Sequence, residues 1–452
     1  MGEHHSLPSG RRIALYSHDT QGLGHIRRNL SLASALVEAD PETNILIITG
    51  NPEAGSLPRP PHTEIVAMPT VAKNAKGAYG SRTLTVDIER VVEMRKSLIK
   101  ATLRDFDPDL LIVDKVPLGF RKELDATLRK LKHRHGTRVV LGLREILDTP
   151  EVAKNEWDVM RTSWAIKKYY DAVWIYGDQR VYDTIEEYDL HKRIKAKVTF
   201  TGYLGEGRFA AASKPSSGVN ADVPTEPYAL CLCGGGQDGA EMAADFIRGV
   251  QMAGKRGIVV TGPFMPERAR AELNDALSQG ASVEVRSLVS NVPELIAGAE
   301  CVVSMAGYNS TCEVLAAGRP TLLIPRVIPR LEQSLRANRL AELGYVTALD
   351  PRSMSPERIA AWLRNPTLPE PRVPIALNGL EVVPKLAAEL IDSGREIQVQ
   401  TDRHVDFAES EHSRKMSPSN HRAPINEPSV PVSEQAADDK VMTDEKELVT
   451  AS

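Results

Sequence analysis

Short runs of apolar residues alternate with longer helix-like segments along most of this chain, and this alternation is the feature that most restricts its fold. Parallel strands need this pattern, because a crossover segment must return the chain to the starting edge of the sheet after each strand. Many of the runs are continuous in Val, Ile and Leu, as expected for strands that are covered on both faces. The sequence therefore predicts an α/β protein built from βαβ units.

The alternation occurs twice, on either side of an irregular segment. The predicted strands of the first half are Arg12–Ser17, Asn44–Thr49, Glu64–Met68, Leu110–Asp114, Arg138–Leu143, Ala172–Tyr176 and Lys197–Thr201. Those of the second half are Tyr228–Cys233, Gly257–Thr261, Ser282–Val285, Cys301–Ser304 and Thr321–Ile324. Helices are predicted at His25–Ala39, Val86–Arg104 and Pro266–Gln279. Two successive Rossmann-like halves are the architecture that this order indicates.

The changes in composition define the expected domain boundaries. Residues 10–205 form a first Rossmann-like domain, and residues 206–227, rich in Gly, Ala, Ser and Pro, form a linker. Residues 228–393 form the second domain. The remaining tail, residues 394–452, is polar and nearly without aromatic residues. Because such a segment cannot bury enough apolar surface to offset its ordering entropy, we expect it to be disordered.

Charge argues against a nucleic-acid partner. The whole chain has a net charge of −4, and the tail alone contains 12 Asp and Glu against 7 Lys and Arg. The rest of the chain is therefore nearly neutral, whereas proteins that bind nucleic acids have a strong basic surplus. One short basic run, residues 130–135, would suit peripheral contact with anionic lipid. The alternative for this run is the solvated end of a helix.

The cysteines and the apolar runs bear on the compartment. Cys231, Cys233, Cys301 and Cys312 show neither the CxxC spacing of a zinc site nor a disulfide framework. Cys231 and Cys233 alternate within an apolar run, and we expect them on opposite faces of a buried strand. The N-terminus has no apolar stretch typical of a signal peptide, and no run of eighteen apolar residues occurs. We therefore expect a cytoplasmic protein without a membrane-spanning helix.

The first candidate site follows the first strand, at the edge of the sheet where ligands bind in open parallel sheets. Asp19, Gly22, Gly24 and Arg28 belong to this loop and to the beginning of the next helix, together with His25. The loop lacks the third glycine of a dinucleotide-binding turn. An imidazole at this place can accept a proton from an attacking hydroxyl. The alternative is that His25 caps the turn or packs against it.

The second candidate site follows the first strand of the second half. Gly234, Gly235, Gly236 and Gln237 form a glycine-rich turn that leads into a helix. Backbone amides freed by glycine, joined to a helix N-terminus, can bind phosphate oxygens without a metal ion. No Gly-Lys-Ser/Thr follows, so this is not a P-loop. The alternative is a plain strand–helix turn.

The third candidate site lies between Ser304 and Pro320. Gly307 and Asn309 occupy the turn after a strand, and Glu313 lies in the first turns of the helix that follows. A carboxylate there can accept hydrogen bonds from the two hydroxyls of a ribose, or it can merely complement the helix dipole. Further along, Gln333 is placed either to bond sugar hydroxyls or to be a solvated surface amide.

These three clusters together resemble the GT-B glycosyltransferases of family 28. The resemblance lies in the glycine-rich turn before His25, in the Gly234–Ala240 turn, which is one residue longer here because of Asp238, and in the Ser304–Pro320 segment with its Ala-Ala-Gly-x-Pro end. A closer resemblance is to bacterial proteins predicted to be glycosyltransferases, which share the His-Asp-Thr-x-Gly-Leu-Gly-His-x-Arg-Arg opening found at residues 18–28.

The resemblance implies two facing Rossmann-like domains and a nucleotide diphosphate-sugar, UDP-linked, as donor substrate. Gly234 to Gln237 would contact the diphosphate, Glu313 the ribose and the backbone near Leu288 the base. No metal ion or other cofactor is implied, and the acceptor would be a glycan, a lipid-linked or a small molecule. His25 would be the general base or a donor contact, with Asp114 orienting it. Glu145, just after a strand, is a rival base or acceptor contact.

The sequence also departs from the family pattern. Glu332–Gln333 stands where the family has paired glutamines, and Arg336 stands where it has an asparagine. The identity of the donor sugar is therefore left open. Other functions of the same fold also remain open at this point, namely a UDP-sugar hydrolase, a nucleotide-sugar 2-epimerase and a donor-binding subunit without catalysis.

Overall fold

The computed structural model describes residues 10–19, 22–73, 79–134, 136–207, 223–278, 280–287, 289 and 291–394. Most of the predicted linker, the tail from residue 395 onwards and Leu288 lie outside these described residues. Two parallel sheets with helices on both faces account for nearly all of the described structure. The α/β prediction is confirmed.

The first sheet has seven parallel strands in the order β3-β2-β1-β6-β7-β8-β9. Its strands are β1 (Arg12–Ser17), β2 (Asn44–Thr49), β3 (Thr63–Ala67), β6 (Leu110–Asp114), β7 (Arg138–Arg144), β8 (Ala172–Tyr176) and β9 (Val198–Phe200). A hairpin of β4 (Val71–Lys73) and β5 (Tyr79–Ser81) lies outside this sheet. The helices of this part are α1 (Gly24–Ala39), α2 (Ile88–Phe106), α3 (Asp125–Arg134), α4 (Pro150–Val159), α5 (Thr162–Tyr169), α6 (Thr184–Glu187) and α7 (Lys192–Lys195).

The second sheet has six parallel strands in the order β12-β11-β10-β13-β14-β15. Its strands are β10 (Ala229–Leu232), β11 (Gly257–Val260), β12 (Val283–Arg286), β13 (Cys301–Ser304), β14 (Thr321–Leu323) and β15 (Thr347–Ala348). The helices of this part are α8 (Ala240–Ala253), α9 (Glu267–Leu277), α10 (Val292–Gly298), α11 (Tyr308–Ala317), α12 (Glu332–Glu342), α13 (Pro356–Arg364) and α14 (residues 379–394).

The cysteines correct one expectation about the second sheet. Cys231 and Cys233 pack in the same buried cluster, whereas Leu230 and Leu232 pack in another one, on the other face of β10. Side chains two residues apart on a strand share a face. The prediction that Cys231 and Cys233 lie on opposite faces was therefore wrong.

The last helix joins the two halves of the chain. α14 falls in the range assigned to the second domain from the sequence, but its buried side chains, Leu380, Val383 and Ile391 among them, belong to a core that also contains Ile13 of β1. Burying such a side chain fully contributes roughly 1.5–3 kcal/mol. The same core continues to Tyr308 of α11. Among the described residues, no helix combines the length and the apolar character needed to cross a membrane.

Candidate active site

Hydrogen bonds to buried polar groups fix the loop after β1. Asp19 accepts hydrogen bonds from the hydroxyls of Ser17 and Thr49, and its side chain is almost completely buried. The buried guanidinium of Arg95 donates to the carbonyl oxygen of His18 over 3.1 Å. Asp19 thus shapes the loop from inside, and the structure does not open it to an acceptor as the sequence-based prediction had assumed.

His25 and Asp114 lie together, as expected from their positions at the edge of the first sheet. The Nδ1 atom of His25, at the beginning of α1, is 2.8 Å from Asp114 Oδ2 at the end of β6. The side chain of Asp114 is buried, whereas that of His25 is 19 % exposed. Arg28, one helical turn after His25, donates to Asp114 Oδ1 over 2.6 Å. Because Arg28 is buried against this carboxylate, it is a support for Asp114 and not an acceptor contact.

The charge of Asp114 decides which nitrogen of His25 holds the proton. Burial alone would raise the pKa of the Asp114 carboxyl, but the charges of Arg28 and His25 hold that pKa well below its usual range. An ionised carboxylate only accepts hydrogen bonds. Arg28 Nη2 also lies 3.0 Å from Nδ1 of His25, and a guanidinium only donates. The shorter contact, 2.8 Å to the Asp114 carboxylate, favours the tautomer with the proton on Nδ1. The lone pair of a neutral His25 is then on Nε2, the nitrogen that can act as a base.

The glycine-rich turn after β10 adopts a backbone that needs glycine. Gly234 and Gly236 have φ values of 62° and 94°, and a Cβ on Gly236 would lie 2.4 Å from the carbonyl oxygen of Thr261. No heavy atom lies within 4 Å of where a Cβ of Gly234 would be, so that surface faces open space. Gly235 lies between them, and Gln237 is exposed before the N-terminus of α8. The turn thus offers bare backbone and a helix N-terminus to a ligand.

The inserted residue of this turn has a partner. Asp238 Oδ2 accepts from Arg326 Nη1 over 2.8 Å, and another nitrogen of Arg326 donates to Glu332 Oε1 over 3.1 Å. The glycine-rich turn is therefore tied to the N-terminus of α12 by a chain of charged groups.

A large cavity lies between the two domains. Its volume is about 1270 Å³, and its lining includes Gly234, Val260 and Val289 of the second domain and Arg27 of the first. Glu313 of α11 also lines this cavity, and its Oε1 atom accepts from Arg27 Nη2 over 2.9 Å. Arg27 is a contact that the sequence reasoning missed, although the Arg-Arg pair after His25 was visible in it.

Glu145 is placed differently from its prediction. It is fully buried after β7, and both carboxylate oxygens bind Arg336, with Nε to Oε1 at 2.6 Å and Nη2 to Oε2 at 3.2 Å. Tyr203 donates to the same carboxylate over 3.1 Å. Both oxygens of Glu145 are buried and bound by Arg336 or Tyr203, so Glu145 is not placed to act as a base, contrary to the prediction. The departure from the family pattern at Arg336 has its physical reason here, since Arg336 connects α12 to the first domain.

The remaining predicted residues, three on the donor side and Gly22 of the loop after β1, lie in different surroundings. Asn309 donates to the carbonyl oxygen of Gly24 over 2.8 Å and so contacts the first domain. Gln333 is buried, and its amide oxygen accepts from the backbone of Arg326 over 3.2 Å. Gly307 precedes α11 and is partly exposed. The carbonyl of Gly22, which has a φ of 72°, accepts from the side chain of Asn51 over 2.7 Å.

Further charged pairs across the domain interface escaped the sequence reasoning. Arg330 donates to Glu156 of α4 over 2.6 Å and to Asp148 over 3.3 Å. Asp148 also accepts from the backbone of Leu331 over 3.1 Å. Such contacts between residues far apart in the sequence leave no local pattern. Within the described residues, no group of three His, Cys, Asp or Glu side chains is placed to hold a metal ion.

Comparison with known proteins finds a family model that matches part of the second half of the chain. Residues 253–376 match the model of the Glycosyltransferase family 28 C-terminal domain. This stretch of the chain is similar to the C-terminal domain of family 28 glycosyltransferases. The match includes Glu313, Gln333 and Arg336, whereas the glycine-rich turn at Gly234 lies before it.

Curated relatives agree with the family 28 domain. The UDP-N-acetylglucosamine–N-acetylmuramyl-(pentapeptide) pyrophosphoryl-undecaprenol N-acetylglucosamine transferase of Rhodopseudomonas palustris is 32% identical over 184 residues, which cover 38% of this chain and 48% of that protein. The enzyme of the same name from Mesorhizobium japonicum is 29% identical over 148 residues, covering 32% of this chain and 39% of that protein. The chain thus spans less than half the length of these two relatives.

Solved structures show that the fold extends beyond the family 28 domain. Spinosyn forosaminyltransferase SpnP matches with a TM-score of 0.51 at 14% identity, covering 88% of this chain and 100% of that one. UGT71G1 of Medicago truncatula, complexed with UDP-glucose, matches with a TM-score of 0.51 at 14% identity, covering 86% and 95%. The predicted GT-B fold is confirmed.

Proposed function

We propose that this protein is a glycosyltransferase that moves a sugar from a UDP-sugar to a hydroxyl acceptor, with inversion at the anomeric carbon and without a metal ion. One observation carries the proposal. An imidazole oriented by a buried carboxylate lies on the first domain, and a bare glycine-rich turn with Glu313 lies on the second, beside the cavity between the domains. The names of the relatives, which are UDP-N-acetylglucosamine transferases, support the class of donor.

The second domain would bind the donor. The amides of Gly234, Gly235 and Gly236, with the N-terminus of α8, would bind diphosphate oxygens. Glu313 would accept hydrogen bonds from the ribose hydroxyls in place of its present contact with Arg27. Arg27 would then be available to the diphosphate, since both side chains line the same cavity. The apolar lining at Val260 and Val289 would receive the base.

The first domain would activate the acceptor. The acceptor hydroxyl gives its proton to Nε2 of His25, and its oxygen attacks the anomeric carbon from the face opposite the diphosphate. The bond between that carbon and the diphosphate oxygen breaks, and its electron pair leaves with the diphosphate. Asp114 stabilises the imidazolium that forms, as an orienting carboxylate does in other acid–base sites. The glycine-turn amides stabilise the leaving charge.

In the proposed mechanism, the protein itself and not a metal ion stabilises the negative charge of the leaving diphosphate. The helix N-terminus, the amides and Arg27 together supply positive potential to the leaving diphosphate. UDP release in the presence of EDTA should therefore equal UDP release in the presence of magnesium. A loss of activity in EDTA that magnesium restores would contradict this part of the proposal.

The experiment that tests the function is a UDP-release assay on the full chain. A panel of UDP-sugars is incubated with and without glycan, lipid-linked and small-molecule acceptors. Glycosyl transfer predicts release that depends on an acceptor and a new glycosylated product of inverted configuration. Release that never depends on an acceptor would favour a hydrolase, an isomerised UDP-sugar would favour an epimerase, and UDP binding without turnover would favour a regulatory subunit.

Contact with a membrane, and with it a place at the cytoplasmic face, remains a separate prediction. It rests on the basic run at residues 130–135, whose last three side chains lie outside the described part of the chain. Lys132 pairs with Asp171 over 3.3 Å on an exposed surface. Sedimentation with vesicles containing anionic lipid would test it, with neutral vesicles as the control.

A further inference from the structure

Two cations at the edge of the first sheet have no role in the contacts described so far. Lys115 follows Asp114 at the end of β6, and Arg144 ends the neighbouring strand β7. The amide of Lys115 donates to the carbonyl of Gly142 over 2.9 Å, which fixes the two strand ends side by side. Both cations are at the same edge as His25, because the carboxyl ends of parallel strands meet there.

Neither cation is paired within the described residues. The ammonium of Lys115 and the guanidinium of Arg144 make no hydrogen bond or ion pair with any of them. The Nε atom of Arg144 is buried without a partner in that part of the chain. Arg330, by contrast, is already bound to Glu156 and Asp148. Partly buried cations without partners are costly, so their presence at the carboxyl ends of β6 and β7, the edge where parallel sheets bind ligands, marks a candidate binding site.

Effects on pKa values show that these charges lie near the proposed base. Burial, and then the charges of His25 and Lys115, lower the pKa of His18 well below its usual value. The rings of His18 and His25 are 5.4 Å apart between centroids. Burial, and then Arg330 and Arg144, lower the pKa of Lys115 to about 7. In the strand order β1-β6-β7, Lys115 at the end of β6 lies between the loop after β1, which leads to His25, and Arg144 at the end of β7.

A carboxylate of the second domain indicates whether an anion bound near Lys115 and Arg144 would belong to the donor or to the acceptor. Glu332 begins α12 in the family 28 domain, and its Oε2 atom is buried without a partner in the described part of the chain. Its carboxylate is close enough to Arg144 that each affects the pKa of the other, yet no ion pair forms between them. A carboxylate on the donor side repels an anion there and favours a hydroxyl. An anion would therefore lie towards Lys115 and His25, on the acceptor side.

We propose that Lys115 and Arg144 form an anion-binding subsite for the acceptor, which carries a phosphate or carboxylate group near the hydroxyl that receives the sugar. This inference rests on the proposed function, since it assigns the first domain to the acceptor. The subsite positions the acceptor hydroxyl against His25. Lys115 and Arg144 bind the substrate and do not exchange a proton with the reacting atoms.

The test uses the full chain saturated with UDP and three probes of similar size. Glucose 6-phosphate, glucuronate and glucose are titrated by calorimetry into wild type, Lys115→Met, Lys115→Arg and the control Lys132→Met. Both anionic sugars should bind about tenfold or more tightly than glucose, the usual effect of a hydrogen-bonded charge. Lys115→Met should remove that preference, and Lys115→Arg and Lys132→Met should keep it. Methionine retains the Cβ at this left-handed position, so the backbone strain is unchanged.

The outcomes separate this inference from the proposed function. UDP binding without any preference for the anionic sugars, or an equal preference in wild type and Lys115→Met, would overturn the inference alone. Failure to bind UDP would overturn the proposed function. A second titration compares UDP-glucuronate with UDP-glucose. Lys115→Met should leave the ratio of their affinities unchanged, and a change in that ratio would put the anion on the donor sugar and reject the acceptor subsite.

Discussion

Arg336 donates from Nε to Glu145 Oε1 over 2.6 Å, and both side chains are completely buried. The pair joins α12 of the second domain to the end of β7 in the first, and Arg336 also donates to the carbonyl of Ala306 over 3.0 Å. Together with the pairs Arg27–Glu313 and Arg330–Glu156, it fixes how the two walls of the cleft face each other.

Removing one member of this pair should be strongly destabilising. Arg336→Met leaves Glu145 as a buried charge without its partner, which should lower the free energy of unfolding by roughly 3–5 kcal/mol. Urea unfolding followed by circular dichroism measures the loss. The control Arg339→Met breaks an exposed pair with Glu342 and should cost less than about 1 kcal/mol. Equal small losses in both variants would show that the buried Arg336–Glu145 pair does not stabilise the fold. Glu145→Gln together with Arg336→Met should recover part of the stability.

The sequence predicted much of the fold because strands covered on both faces are continuous apolar runs. β1, β2, β6, β8 and β13 have the predicted bounds to the residue. The short hairpin β4–β5 and the two-residue strand β15 were missed. These strands have only two or three residues, too few to show a repeating pattern of apolar side chains. They are recognisable only from their hydrogen bonds to neighbouring strands.

The candidate site also has a part that the sequence predicted and a part that it did not. His25 and Asp114 could be placed together because both follow strands at one edge of a parallel sheet, and the structure puts their atoms 2.8 Å apart. Their catalytic role stays a prediction. Glu145 also ends a strand, but its partner Arg336 is 191 residues away. That contact depends on how the domains face each other, which no local pattern encodes.

Asp114→Asn should impair turnover and leave the donor site intact. An asparagine can present its amide nitrogen to His25, which then loses the proton on Nδ1 that keeps Nε2 free. Acceptor-dependent UDP release should fall on the order of 10²- to 10⁴-fold, with little change in UDP affinity. Steady-state kinetics and calorimetry measure the two effects. Asp105→Asn, on the exposed surface beside Arg104, is the control. An unchanged rate in Asp114→Asn would remove Asp114 from the mechanism.

Glu313→Gln tests the donor side. Loss of the carboxylate weakens hydrogen bonds to the ribose hydroxyls, and UDP affinity should fall about tenfold. Calorimetry with UDP measures the change. The matched control is Glu342→Gln, an exposed carboxylate of the neighbouring helix α12. If UDP binds both variants as tightly as wild type, Glu313 does not contact the ribose.

Lys115 should make stability depend on pH in a defined window. Its pKa is lowered to about 7 by burial and by Arg330 and Arg144, against the opposite effect of Glu156 and Glu332. The unfolded chain has a lysine pKa of about 10.4, so folding releases a proton between these values. The cost to stability grows as pH falls from about 10 to about 7 and is constant below.

Lys115→Met should therefore be more stable than wild type, with a gain that increases as pH falls through this window. Melting temperatures of both proteins at closely spaced pH values from about 10 to about 6 test this, with no substrate present. A difference in melting temperature that is the same at every pH would mean that Lys115 titrates normally in the folded protein.

In the proposed mechanism, His25 on the first domain accepts the proton of a hydroxyl, and the second domain holds the sugar donor that this hydroxyl attacks. The most direct measurement is the rate of acceptor-dependent UDP release by His25→Ala at saturating UDP-sugar. His25→Ala should release UDP more slowly than wild type, on the order of 10²- to 10⁴-fold, with the affinity for UDP unchanged. A variant that binds UDP normally and releases it at the wild-type rate would contradict the claim.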